Sequence, residues 1–299
     1  MDTSAISTHG LTKAYGPVRA LRGVDLEVPR GEIFGFLGPN GSGKTTTIRC
    51  LLDLIRPDGG TLRVLGRDPQ RDSLAVRART GYLPGELRID EAFTVGAALR
   101  FFGELRGGTL DWPYVRDLAE RFNLDLQLPI KNLSKGNKQK VGVLQALMHR
   151  SELLMLDEPT SGLDPLMQRE VLKAIRAARE AGATVFFSSH VLSEVETIAD
   201  RVGIIRRGEV VEVADTQALI ARAMRRVSVR FKHPIDLAAL AALPGVTVVS
   251  HNSVECQLHV TGDMDSLIKT LAAYPVSELE IERASLEEIF LTYYNEVRA

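Results

Sequence analysis

Over the first 220 or so residues, short apolar or β-branched runs alternate with stretches whose apolar positions recur at helical spacing. The runs predict strands at 32–38, 61–65, 80–83, 153–157, 184–188 and 201–206. The helical patterns fall at 44–54, 165–181 and 191–199. Strands that alternate with helices can bury both faces of a parallel sheet, so this order predicts an α/β domain. From about 86 to 150 the rhythm lapses. Helical patterns at 92–105, 113–122 and 139–149 follow one another with no strand between them, which predicts a helical insertion.

A second unit begins near Arg225. Its pattern reads strand 226–231, helix 235–243, strand 246–250, strand 254–260, helix 264–273 and strand 277–282. This βαββαβ order is the split-βαβ, ferredoxin-like arrangement of a small α+β domain. The expected division is 1–223 and 224–299. A final helix is predicted from Ser285. Ser285 and Glu288 have capping-box spacing, and Leu286, Ile289, Phe290 and Tyr293 form one apolar stripe suited to core packing.

Composition narrows the classes of function. The 299 residues include 44% hydrophobic and 25% charged positions, ordinary for a globular protein. Lys+Arg number 37 against 38 Asp+Glu, a net charge of -1 that speaks against nucleic-acid binding through bulk positive charge. Two cysteines, Cys50 and Cys256, exclude a disulfide framework and fit a reducing compartment. No apolar run reaches the roughly 18 to 20 residues of a membrane span. The longest, 235–249, is interrupted by Asp236, Pro244 and Gly245, and the opening MDTSAISTHG lacks a signal-peptide pattern. The expectation is a cytoplasmic protein that reaches a membrane only by docking on a membrane protein.

Chemistry enters at residues 38–45, GPNGSGKT, which fit G-x-x-x-x-G-K-[ST] between an apolar strand and a helix. Glycines let backbone N–H groups turn inward around phosphate oxygens, and the helix start adds its positive dipole end. Lys44 can neutralise β- and γ-phosphates, while the Thr45 hydroxyl can ligate Mg²⁺. Gly38, Pro39, Asn40, Gly41, Ser42, Gly43, Lys44, Thr45 and Thr46 are the expected nucleotide-binding positions. Residues 153–158, LLMLDE, form an apolar strand ending in two acids. Asp157 is expected to hold Mg²⁺, and Glu158 to orient or deprotonate the attacking water.

With these two motifs and the segments around them, residues 3–223 resemble an ATP-binding cassette ATPase. LSKGNKQK at 133–140 resembles the family signature LSGGQ, SGLDP at 161–165 its loop after the second Walker motif, and SSHVLSE its switch-histidine segment. The resemblance implies that Tyr15 stacks on adenine and that His190 steadies the γ-phosphate. It also implies that Ser134, Lys135, Gly136, Asn137 and Asp164 serve a head-to-tail dimer. In such a dimer each ATP lies between one subunit's phosphate loop and the other subunit's signature. Residue by residue, plainer roles stand beside these: packing for Tyr15, a helix cap for Ser134, a turn for Asp164.

The ending SLEEIFLTYY after a small C-terminal unit resembles exporter ATPases of the daunorubicin-resistance type, whose permeases are separate chains. The implied function is an ATP-hydrolysing subunit, with ATP and Mg²⁺, that powers efflux from the inner face of the membrane. A soluble cassette ATPase outside transport and a regulatory module that binds ATP with little turnover are the alternatives. Three positions depart from the family pattern: Lys135 for glycine, Asn137 for glutamine, and Gly85 where a glutamine usually approaches Mg²⁺. Glu86, the next residue, is the expected substitute ligand, with a solvated loop or permease contact as its plainer roles. Phe93, Phe101 and Phe102 of the insertion are candidate permease contacts or core.

Overall fold

The structure, a computed structural model, describes residues 4–107, 110–222, 224–282 and 286. It divides into two compact units, Met1–Ala214 and Asp215–Ala299. The strands of the first are β1 (Ser4–Tyr15), β2 (Val18–Pro29), β3 (Ile33–Leu37), β4 (Gly59–Val64), β5 (Thr80–Leu83), β6 (Leu153–Asp157), β7 (Thr184–Ser189), β8 (Arg201–Arg206) and β9 (Glu209–Asp215). Its helices are α1 (Lys44–Leu51), α2 (Ser73–Ala78), α3 (Val95–Leu105), α4 (Trp112–Arg121), α5 (Lys135–Leu147), α6 (Pro165–Glu180) and α7 (Leu192–Ile198).

The main sheet has the order β5-β6-β7-β3-β8-β9. Its parallel pairs β5–β6, β6–β7, β7–β3 and β3–β8 are the sheet that the alternating pattern predicts. Every residue of β3, β6 and β7 is buried. Phe34 of β3 stacks on Phe186 of β7 at 5.7 Å between ring centroids, and Phe36 lies 5.2 Å from the same ring. Strands buried on both faces lose the period-two pattern and read as continuous apolar runs. They also form a rigid base, and the loops at their carboxyl ends inherit that rigidity.

Three strands went unread in the sequence. β1 and β2 pair antiparallel, and with β4 they form a separate sheet of order β2-β1-β4. Register shifts interrupt the β1–β2 ladder at Thr8/Leu11 and Leu11/Thr12, beside Gly10 with φ 58°. Each shift moves following side chains to the other face, so alternation never runs long enough to be seen. β9 is joined to β8 through Arg207 and Gly208, both at positive φ (50° and 83°), a tight hairpin turn.

The insertion holds α3, α4 and α5, each started by a side-chain cap: Thr94 accepting from Ala97 N, Asp111 from Tyr114 N, and Ser134 from Asn137 N. α5 starts four residues before the predicted 139. Gly136 and Asn137 are weak helix formers, and the Ser134 cap starts the helix despite them.

The second unit contains α8 (Thr216–Arg222), β10 (Arg225–Phe231), α9 (Ala238–Ala241), β11 (Val246–His251), β12 (Glu255–Val260), α10 (Asp265–Leu271) and β13 (Val276–Glu282). Its antiparallel sheet has the order β11-β12-β10-β13, the strand order of a split βαβ fold. Val227, Val229, Leu240, Leu258 and Leu267 form its core. The units part after Ala214, where the expected boundary was 223, and α8 falls with the second. The predicted last helix lies outside the described residues except for Leu286.

Candidate functional site

The carboxyl ends of β3, β6 and β7 carry the loops that hold the chemistry. In open α/β sheets this edge is where ligands bind, because helix starts and loop amides converge there. The loop from Gly38 leaves β3 and enters α1 through Gly43, whose φ is 117°. A Cβ on Gly43 would come 2.8 Å from the carbonyl oxygen of Ala20 on β2, so both dihedral and space require glycine. Gly208 N donates to Ser42 O at 2.9 Å, which pins the loop to the β8–β9 turn. Asn40 and Gly41 stand exposed at the crest, Ser42 is buried, and Pro39, Thr45 and Thr46 are half-buried.

Lys44 is buried, with 5% exposure. Its ammonium donates to the carbonyls of Gly38 at 2.6 Å and Pro39 at 3.2 Å. Glu158 Oε1 lies 3.5 Å away. Burial pushes the Lys44 pKa below its ordinary value, and the charges of Glu158 and Asp157 oppose that shift. The second Glu158 oxygen sits 3.2 Å from His190 Nδ1. One carboxylate thus bridges the phosphate-loop lysine and the histidine after β7.

Asp157, at the end of β6, is 1% exposed. Ser188 Oγ donates to its Oδ1 at 2.5 Å. Its Oδ2 is buried and has no hydrogen-bond partner. An unpartnered buried carboxylate oxygen costs free energy unless something binds there, and a hard oxygen donor beside a phosphate loop fits a divalent cation. Among the described residues no three His, Cys, Asp or Glu side chains form a metal cluster by themselves.

The structure brings Lys44, Asp157, Glu158 and His190 together. It does not bring Glu86 with them. That side chain is 82% exposed and its ion partner is Arg88 at 4.0 Å, because the loop after β5 turns it to solvent. Ser134 to Asn137 form the cap and first turn of α5, which abuts the loop after Glu158. A Cβ on Gly136 would come 2.9 Å from Gly162 O. Asp164 caps α6 by accepting from Leu166 N and Met167 N at 3.1 and 3.0 Å. Tyr15 ends β1, nearly half exposed, with Lys13 Nζ 5.8 Å from its ring centroid. In the insertion, Phe93 and Phe101 stack at 5.6 Å, and Phe101 is 43% exposed.

Comparison with known proteins identifies the family to which the chain belongs. Residues 21–161 match the family described as ABC transporter. The chain is 35% identical to the daunorubicin resistance ATP-binding protein DrrA3 of Streptomyces coeruleorubidus, over 97% of this chain and 96% of that protein. A bacitracin transport ATP-binding protein, BcrA of Bacillus licheniformis, is 37% identical over 70% of this chain and 69% of its own. A solved ATP-binding subunit of an ABC transporter superposes with a TM-score of 0.67 at 28% identity, covering 72% of this chain and 92% of that one.

The chain belongs to the ABC transporter family. It is an ATPase cassette of the branch that includes the daunorubicin-resistance ATP-binding proteins.

Three cassette residues at the site were not anticipated. Gln139 of α5 donates from Nε2 to the carbonyls of Glu158 at 3.0 Å and Pro159 at 3.1 Å. Ser188 gives Asp157 its hydroxyl and accepts from Glu158 N at 3.1 Å. Glu194 is 5% exposed and accepts from Thr160 Oγ1 and, at 2.7 Å, from Ser189 Oγ. All three lie inside quoted motifs, but their neighbours in space are distant in sequence. No helix among the described residues is long and apolar enough to cross a membrane.

Proposed function

We propose that this cassette is the ATP-hydrolysing subunit of an exporter and drives efflux through a separate membrane permease. The observation that carries the reading is the convergence of Lys44, Asp157, Glu158 and His190 on one sheet edge, with Glu158 bridging Lys44 and His190. Likeness to a daunorubicin-resistance protein along nearly the whole of both chains supports the exporter assignment.

In this reading the loop amides of Gly41, Gly43, Lys44 and Thr45 cradle the β- and γ-phosphates. Lys44 exchanges its loop carbonyls for phosphate oxygens. Thr45 and Asp157 hold Mg²⁺, which supplies charge neutralisation at the phosphates. Glu158 keeps one oxygen on His190 and accepts the proton of the attacking water with the other. His190 orients that carboxylate and meets the γ-phosphate. Tyr15 takes the adenine ring, and the start of α5 with Asp164 faces the nucleotide of a second subunit. The dimer and the permease place the subunit at the inner face of the membrane. The second unit, whose described residues gather no metal-binding cluster, serves subunit or permease contact.

Affinity capture of the tagged chain from detergent-solubilised membranes of its host tests the assignment. A polytopic membrane protein should co-purify in stoichiometric amount. Recovery of the chain solely in the aqueous fraction, alone or with ribosomes, would overturn it.

A further inference from the structure

We propose that Gly85 is a positioning residue: bare of a side chain, it lets the loop after β5 close over Asp157 and leave its free oxygen in place for Mg²⁺. This rests on the reading that Asp157 holds the cation. β5 pairs in parallel with β6, Leu83 opposite Leu156, so the chain beyond Leu83 runs out beside the carboxyl end of β6. A Cβ on Gly85 would stand 2.9 Å from Asp157 Oδ2, closer than real Cβ atoms come, and a tight 3.3 Å from its Cγ.

Other reasons for a glycine do not apply. The φ of Gly85 is not positive, so a left-handed backbone is not what calls for glycine there. The position is exposed, and solvent would accept a side chain. The nearest obstacle is Asp157, and that side chain is poorly placed to move. It is 1% exposed, and its Oδ1 holds the Ser188 hydroxyl at 2.5 Å. Turning the carboxylate away from a Cβ would break that bond and redirect Oδ2, the oxygen with no partner. Position 85 is thereby a matter of room and not of a missing ligand.

These two ideas separate sharply. If position 85 merely lacked a ligand, an amide there would strengthen metal binding. If it supplies room, any Cβ weakens it, and a longer polar side chain brings no recovery. The test is titration of trinitrophenyl-ATP onto the full chain in EDTA and in Mg²⁺, for wild type, Gly85→Ala and Gly85→Gln. Both variants should bind as wild type does in EDTA and lose about tenfold of the tightening that Mg²⁺ gives, the scale of a disturbed metal-ligand support. Gly85→Ala placed on Asp157→Asn should add no further loss, since the two act through one group.

Wild-type tightening in Gly85→Ala, or tightening beyond wild type in Gly85→Gln, would overturn the proposal. So would equal weakening in EDTA and Mg²⁺, or an additive loss in the double variant. A wild-type chain whose binding ignores Mg²⁺ would instead remove the underlying reading, and the proposal with it.

Discussion

Gln139 Nε2 lies 3.0 Å from the carbonyl oxygen of Glu158 and ties the first turns of α5 to the turn after β6. Glu158 has a φ of 50°, a left-handed conformation that costs a non-glycine residue roughly 1–3 kcal/mol. Its N–H is held by Ser188 and its carbonyl by Gln139, so the strained residue is gripped on both sides. The carboxylate that meets Lys44 and His190 owes its direction to this grip.

Gln139→Ala weakens one side of the grip, where the Glu158 carbonyl keeps its bond from Ser161 N at 3.1 Å, and leaves the phosphate loop untouched. The loss of a typical intramolecular hydrogen bond costs about 0.5–1.5 kcal/mol, and about 1.4 kcal/mol in the barrier is tenfold in rate. Turnover should fall by a few-fold to about tenfold while nucleotide affinity stays within about twofold. Steady-state ATPase kinetics beside a binding titration would show the split. A raised KM with unchanged kcat would assign Gln139 to binding instead.

Glu194 joins the segment after β6 to the turn that carries His190, through Thr160 and Ser189. Glu194→Ala leaves the buried Thr160 hydroxyl without its acceptor, at about 1–3 kcal/mol, and leaves Ser189 Oγ with the Val191 carbonyl at 3.2 Å. Glu194→Gln keeps the shape and one carbonyl acceptor. Chemical denaturation should show the alanine variant losing clearly more stability than the glutamine variant. Equal losses would mean that packing, and not the hydroxyl bonds, makes the residue matter.

Much of this was legible because the chemistry is local in sequence. The phosphate loop, the acids after β6 and His190 each sit at the end of an apolar strand, and a buried parallel strand announces itself by composition. The split βαβ unit was equally plain, since its strands and helices are short and follow one another in the predicted order. β1 and β2 were hidden by the shifts beside Gly10, which break the two-residue period. Gln139 and Glu194 were hidden for another reason. Gln139 acts on a carbonyl 19 residues away, and Thr160 is 34 residues from Glu194. No local spacing encodes such pairs. Glu86 was offered beside its plainer solvated-loop role on adjacency to Gly85, and adjacency says nothing about which way a loop turns its side chain.

Away from the nucleotide edge, Glu32 has a predictable titration. Burial raises its carboxyl from an ordinary 4.5 to about 7, with Arg201, at 3.4 Å, opposing and Asp200 adding to the rise. The folded chain therefore holds a proton there that the unfolded chain has released. Its stabilising contribution is full below about 4.5 and is lost as pH rises through about 7. Between pH 5 and 8, Glu32→Gln should gain on wild type by up to about 3 kcal/mol, an upper bound set by 1.36 kcal/mol per pKa unit. Denaturation of both proteins across this range would show it. A constant difference would mean that Glu32 titrates normally.

The central claim is that Lys44 and Glu158 divide the work, the lysine binding nucleotide and the glutamate serving the chemical step. Single-turnover hydrolysis of radiolabelled ATP by Glu158→Gln, with nucleotide affinity measured on the same preparation, addresses it most directly. The loss of a general base typically costs roughly 10²- to 10⁴-fold in rate. The variant should hydrolyse at least about a hundredfold more slowly than wild type while binding ATP as tightly. Hydrolysis near the wild-type rate, with binding intact, would contradict the account.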